Sequence, residues 1–214
     1  MVRRSINPNA ELFLCQCFFL CLHTSHTKFS RYKMSWFEAS ARVPLLISYP
    51  KRFTPRIITG NVSSLDILPT LVDLANGSLD IRLPIDGNSL LPLLQGYEGV
   101  DSVFGEYAGE GTIAPLMMIR RGSWKFITCP VDPPQLFNLR DDPQELHNLA
   151  TSHDPSVRTI FLAFLGEAND RWDFKAIHKQ VLKSQRERRL CYDALKQGRY
   201  ESWDYQPKDD ASQK

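Results

Sequence analysis

No aspartate occurs before Asp66, and Glu11 is the only acidic residue ahead of Lys33. Calcium takes roughly six to eight oxygen ligands, so one carboxylate in that stretch excludes such a site there. Cysteine is sparse and unpatterned: Cys15, Cys17 and Cys21 crowd near the start, while Cys129 and Cys191 stand alone. An odd count without repeated spacing excludes a disulfide framework and a zinc site built from two ligand pairs. Buried or idle thiols in a reducing, cytoplasmic setting fit this usage. Long hydrophobic runs are missing as well. The apolar run Leu12–Leu22 (LFLCQCFFLCL) has eleven residues, whereas a bilayer span needs roughly 20. A net charge of +2 is too small to argue for nucleic acid or an acidic membrane surface as partner. What is present is ordinary for a globular chain: 43% apolar and 23% charged residues in 214.

The first thirty-one residues differ from the rest. Met1–Arg4 is basic and Leu12–Leu22 apolar, the layout of a signal peptide, and secretory targeting by residues 1–22 is one reading. No small-residue cleavage site follows, since His23-Thr24-Ser25-His26 supplies none. A second reading is non-coding or mis-joined sequence carried onto a true coding tail, and a third is an amphipathic partner helix. His23 and His26 are three apart but lack an acidic second shell, so they read as incidental rather than metal-ligating.

Val43–Ser48 (VPLLIS) is a short apolar run, expected as a strand buried on both faces of a parallel sheet. Ser63-Ser64-Leu65-Asp66 offers a capping box. Leu65, Leu68, Leu71, Val72 and Ala75 then recur at helical spacing, with Pro69 in the first turn and Asn76-Gly77 as the stop. Residues 83–99 read as a connection. Four short strands follow, at Val103–Tyr107, Met117–Arg121, Trp124–Thr128 and Gln135–Leu139, with Arg121-Gly122-Ser123 as a hairpin turn. Asp142-Pro143 closes this antiparallel sheet, and Pro143–Ala150 is expected to start a helix. From Asp154-Pro155-Ser156 onward the chain is helical, with Val157, Ile160, Phe161, Phe164, Leu165 and Ala168 as one stripe. Arg186, Arg188 and Arg189, with Glu187 interleaved, read as a solvated face.

Certain landmarks occur in a telling order. They are Lys33 with Phe37-Glu38 and Arg42-Val43-Pro44, Leu65-Asp66-Ile67-Leu68-Pro69-Thr70-Leu71, Asp86–Leu94 (DGNSLLPLL), and Leu136-Phe137-Asn138-Leu139 followed by Asp142-Pro143, Glu145 and Asn148-Leu149. The series resembles the C-terminal third of sulfatases. Gly105-Glu106-Tyr107 with Glu110-Gly111, Pro115–Gly122, Arg171-Trp172-Asp173 and Trp203-Asp204 are similar to choline-sulfatases, and the resemblance runs from about Tyr32 to Ser212.

This resemblance implies an α/β fold: the C-terminal part of an alkaline-phosphatase-like sulfatase. Residues 32–100 would end the α/β domain, 101–150 would form a small antiparallel-sheet subdomain, 151–214 would be a helical tail, and 1–31 stay unassigned. It implies a sulfuric ester hydrolase acting on choline O-sulfate, with a calcium ion and a formylglycine made from cysteine within C-x-P-S-R or C-x-A-x-R. None of the five cysteines has that context, because Cys129 is followed at once by Pro130 and Cys191 by Tyr192-Asp193-Ala194-Leu195. Lys33 alone carries over, as the contact to the sulfate group. Glu38 and Arg42 read as a structural pair anchoring its loop, and Glu106 and Glu110 as strand-end or turn carboxylates. His147, His153 and His178 need no function. A quaternary ammonium cannot donate hydrogen bonds and is held by aromatic faces and carboxylates. Trp203, Asp204, Tyr205, Asp209 and Asp210 offer both, with Asp210 the candidate choline ligand, lent to a neighbouring subunit of a homo-oligomer. The chain by itself is expected to be inactive. Two alternatives stand beside this: a non-catalytic oligomerisation or interaction fragment, and a phosphonate or phosphodiester hydrolase relative.

Overall fold

The computed structural model describes residues 13–15, as backbone only, and 35–78, 84–109 and 112–198. They fall into two units, Met1–Trp172 and Asp173–Lys214. The first is organised by a four-stranded antiparallel sheet in sequence order: β3 (Ser102–Tyr107), β4 (Leu116–Arg121), β5 (Trp124–Cys129) and β6 (Asp132–Asn138). Arg121 pairs with Trp124 across a tight turn in which Gly122 takes φ 53°, a left-handed conformation that suits glycine. Strand β6 begins three residues before the expected Gln135 despite Pro133 and Pro134. It tolerates them because it is an edge strand. Asn148 covers that edge, accepting from Leu136 N at 3.0 Å and donating to Pro134 O at 3.4 Å.

Strand register decides which side chains share a face. Met118 lies opposite Ile127, and Lys125 opposite Phe137. This face is covered by Trp36, Phe37 and Leu139. On the other face Ile119 lies opposite Phe126, itself opposite Leu136. Helix α4 (Pro155–Arg171) packs there through Phe161, Phe164 and Ala168. The Phe126 ring stacks on Phe164 and meets Phe161 edge-on, both at 5.9 Å. Asp154 starts α4 as expected, accepting from Ser156 N at 2.7 Å. At its end the Trp172 indole N–H donates to Glu106 Oε1 at 2.7 Å.

Arg121 and Glu167 tie α4 to β4 through two bonds of 2.8 Å. The Arg121 side chain holds the Glu167 carboxyl below its usual range against the opposing effect of burial. A carboxyl depressed in the folded state contributes stability above the unfolded pKa, about 4.3 for glutamate, and loses it as pH falls through the lower, folded value. Glu167→Gln is therefore expected to lower Tm at neutral pH, and the gap to the parent to close in acid. A Tm series over pH checks this; a gap that persists below the folded titration would contradict it.

Before the sheet, Ser63 and Asp66 form the expected capping box ahead of α2 (Ile67–Leu74), which ends at Asn76 with φ 54°. Buried Asp66 also accepts from Asn88 N at 2.8 Å, and Thr70 Oγ1 accepts from Leu90 N at 2.8 Å. Gly87 makes this docking possible, since a Cβ there would lie 2.1 Å from Leu65 O. The stretch read as a connection contains a short helix, α3 (Leu91–Gln95), closed by Gly96 at φ 102°.

Two expectations are corrected. Val43–Ser48 is not a doubly buried parallel strand: β2 (Leu46–Ser48) pairs antiparallel with β1 (Phe13–Cys15), and Leu46 stays 53% exposed. A two-stranded ribbon with no layer over it among the described residues has no interior to offer. Pro143–Ala150 does not start a helix either. Glu145 sits at φ 57°, which breaks helical continuity, and only Leu149–Thr151 forms a 3-10 turn.

The second unit holds α5 (Phe174–Gln197), capped by Asp173, which accepts from Ala176 N at 3.0 Å. Arg186, Arg188 and Arg189 are exposed, and Arg189 pairs with Asp193 one turn on at 3.3 Å. No described helix is long and apolar enough to cross a membrane.

Candidate functional site

A lysine in the middle of an apolar strand is the least expected feature of the sheet. Lys125 lies on β5 between Trp124 and Phe126, with only 1% of its side chain exposed. An unpaired ammonium in such surroundings would neutralise or leave, so its partners must be strong. Its Nζ reaches Glu145 Oε1 at 2.8 Å, Glu38 Oε1 at 2.5 Å and the Trp36 carbonyl at 2.9 Å. Glu145 Oε2 in turn accepts from the Glu38 backbone N–H at 2.6 Å. Arg120, opposite Lys125 on β4, sends its guanidinium to the Gly122 and Trp124 carbonyls. Burial lowers its pKa, while Glu38, Asp101 and Glu145 pull it back up. Two cations and two carboxylates thus share one face of the sheet.

The cluster grips residues 36–38, where the chain enters α1 (Glu38–Ala41). Trp36 packs against Gly105, where a Cβ would meet the indole at 2.6 Å, and its ring N–H donates to Leu116 O at 3.0 Å. Phe37 packs 5.9 Å from Phe137. Three consecutive residues, 36 to 38, are therefore held by β4, β5, β6 and the Glu145 turn together.

Lys33 and Asp210, the residues carried over for sulfate and choline, lie outside the described residues, as do His23, His26, Glu110 and the segment 203–210. Glu38 does anchor its loop, but its ion pair is with Lys125 rather than Arg42. Glu106 bonds Trp172, consistent with a structural carboxylate. The His147 backbone N–H donates to Asp142 Oδ2 at 2.7 Å. Sequence reasoning misses Lys125 and the bent conformation of Glu145. The available signal was a lone lysine inside WKFIT, since charged residues are almost never fully buried unless paired.

Among the described residues no three His, Cys, Asp or Glu side chains come together to hold a metal ion. Several carboxylates are engaged instead: Asp66 with backbone N–H groups, Asp101 with Asn61 at 2.7 Å, Glu38 and Glu145 with Lys125. Cys129 is buried and Cys191 lies on α5, and neither stands in a C-x-P-S-R or C-x-A-x-R context. These residues do not fit calcium or formylglycine.

Comparison with known proteins follows the same lines. A family model described as N-sulphoglucosamine sulphohydrolase, C-terminal, matches residues 25–164, and one described as choline sulfatase enzyme C terminal matches residues 179–214. A choline-sulfatase of Rhizobium meliloti (strain 1021) is 43% identical over 185 residues, 86% of this chain and 36% of the relative. Arylsulfatase K of Gallus gallus is 36% identical over 151 residues, 65% of this chain and 28% of the relative. Among solved structures, phosphonate monoester hydrolase of Agrobacterium radiobacter aligns with TM-score 0.54 and 28% identity, covering 68% of this chain and 31% of its own. The chain thus spans about a third of the length of these proteins.

Proposed function

Because this chain belongs to the sulfatase family, corresponding to the C-terminal region of that alkaline-phosphatase-like fold, we propose that it serves in hydrolysis of a sulfate ester, with choline O-sulfate as substrate. The observation that carries this reading is the 43% identity to a choline-sulfatase across 86% of the chain. In this role Lys33 contacts the sulfate. A sulfate ester gathers negative charge on its departing oxygen, and a fixed cation nearby lowers that barrier. Trp203, Tyr205 and Asp210 bind the quaternary ammonium of choline in a neighbouring subunit, each aromatic contact contributing about 0.5–2 kcal/mol. The choline-sulfatase C-terminal match over residues 179–214 supports that assignment. Lacking a C-x-P-S-R or C-x-A-x-R cysteine, the chain alone is expected to release no sulfate.

The phosphonate monoester hydrolase fold match favours a competing reading, and one experiment separates the two. The matching region of the Rhizobium meliloti choline-sulfatase is replaced by this chain, and the chimera is assayed on choline O-sulfate, a neutral aryl sulfate and a phosphonate monoester. Preference for choline O-sulfate, lost when residues after Tyr200 are removed, is the expected result. A folded chimera that prefers the phosphonate, or none of the three, overturns the reading.

A further inference from the structure

We infer that Lys125, Glu145 and Glu38 are positioning residues for the sulfate-contacting segment, a role that rests on the function proposed above. Several observations converge on it. The ion cluster spends its bonds on backbone as well as side chains: Lys125 Nζ holds the Trp36 carbonyl at 2.9 Å, and Glu145 Oε2 holds the Glu38 N–H at 2.6 Å. Such bonds fix where the chain runs, whereas side-chain packing alone permits it to slide. Glu145 adopts φ 57°, a left-handed conformation unfavourable for a non-glycine residue, yet its side chain is almost fully enclosed at 3% exposure. The fold therefore accepts local strain to bring this carboxylate to Lys125.

Stability by itself does not call for this arrangement. Buried ion clusters are often matched or bettered by apolar side chains of similar volume, and their best-attested use is to specify one register. The register specified here is that of residues 36–38. In the sequence Lys33 precedes Trp36 by three residues, so the described residues nearest to it along the chain are the ones this register fixes. The indole N–H bond to Leu116 O at 3.0 Å and the Gly105 platform fix the same point from β3 and β4. An error of about 1 Å in a reactive geometry can cost about a hundredfold in rate, which makes the registration of this loop consequential.

The test uses the chimera above and, separately, this full chain. Glu145→Gln keeps an acceptor for the Glu38 N–H and removes one charge; Lys125→Met removes the hub. Among molecules that remain folded, kcat/KM for choline O-sulfate is expected to fall about a hundredfold in Lys125→Met and less in Glu145→Gln. A purely structural cluster would lower Tm and leave kcat/KM per folded molecule unchanged, and that result overturns the inference. In the full chain, amide exchange of residues 36–41 should accelerate in Glu145→Gln while the β4–β5 ladder stays protected. If 36–41 keep the parent rate, the inference fails whatever the chimera does. An inactive parent chimera defeats the functional reading, and the exchange measurement still decides the positioning role.

Discussion

Lys125→Met is expected to lower the free energy of unfolding by about 3–5 kcal/mol, the usual cost of removing one partner from a buried ion pair. The lysine ion-pairs with both Glu38 and Glu145. Without it the enclosed Glu145 carboxylate, 3% exposed, loses its ammonium partner and is left with the more distant Arg120 guanidinium on the same face. Methionine fills nearly the same volume, so lost packing contributes little and the penalty is mainly electrostatic. A compensated variant separates the two contributions. Adding Glu38→Gln and Glu145→Gln to Lys125→Met removes the stranded charges and should recover most of the loss. Urea unfolding read as the midpoint at unchanged m provides the measurement. If the single variant unfolds at the parent midpoint, the cluster is solvated and its ion pairing does not hold the loop.

Phe126→Ala is expected to be at least as damaging, at about 3–5 kcal/mol. The ring is fully buried and touches two rings of α4, stacked on Phe164 and edge-on to Phe161, at 5.9 Å each. Removing it takes away the apolar contact that docks the helix and leaves a cavity the rigid sheet cannot collapse to fill. Helix α4 should then loosen before the strands do. The check is exchange of α4 amides against those of β4 and β5 in the variant. Equal acceleration in both would show that helix and sheet unfold as one unit and that the aromatic stack is not what joins them.

Apolar residues of the run that contains β2 stay exposed because the two-stranded ribbon buries little. Val43 is 45% exposed and Leu46 is 53% exposed. The sequence pattern there, a continuous apolar run, marks a segment suited to a two-sided layer. Periodicity reports what a segment can bury; whether anything covers it is a property of the surrounding fold. That is why the run was legible and its environment was not.

Much of the molecule follows from local physical chemistry and could be read from the chain alone. The antiparallel strands, the turn at Gly122, the capping box from Ser63 to Asp66 and the Asp154 start of α4 all depend on residues close in sequence. Period-2 and period-3.6 patterns and short-range hydrogen bonds suffice to specify them. The order of family landmarks from Lys33 to Leu149 was equally visible, because it is a linear property. Only tertiary structure decided that Lys125 meets Glu38, 87 residues earlier, and Glu145, 20 later, because β5, the Ser35–Ala41 loop and a turn after β6 converge on one sheet face. It also decided that Pro143–Ala150 is not a helix. Helical preference there is worth tenths of a kcal/mol per residue, and leaving the enclosed Lys125 without the Glu145 carboxylate would cost more than that.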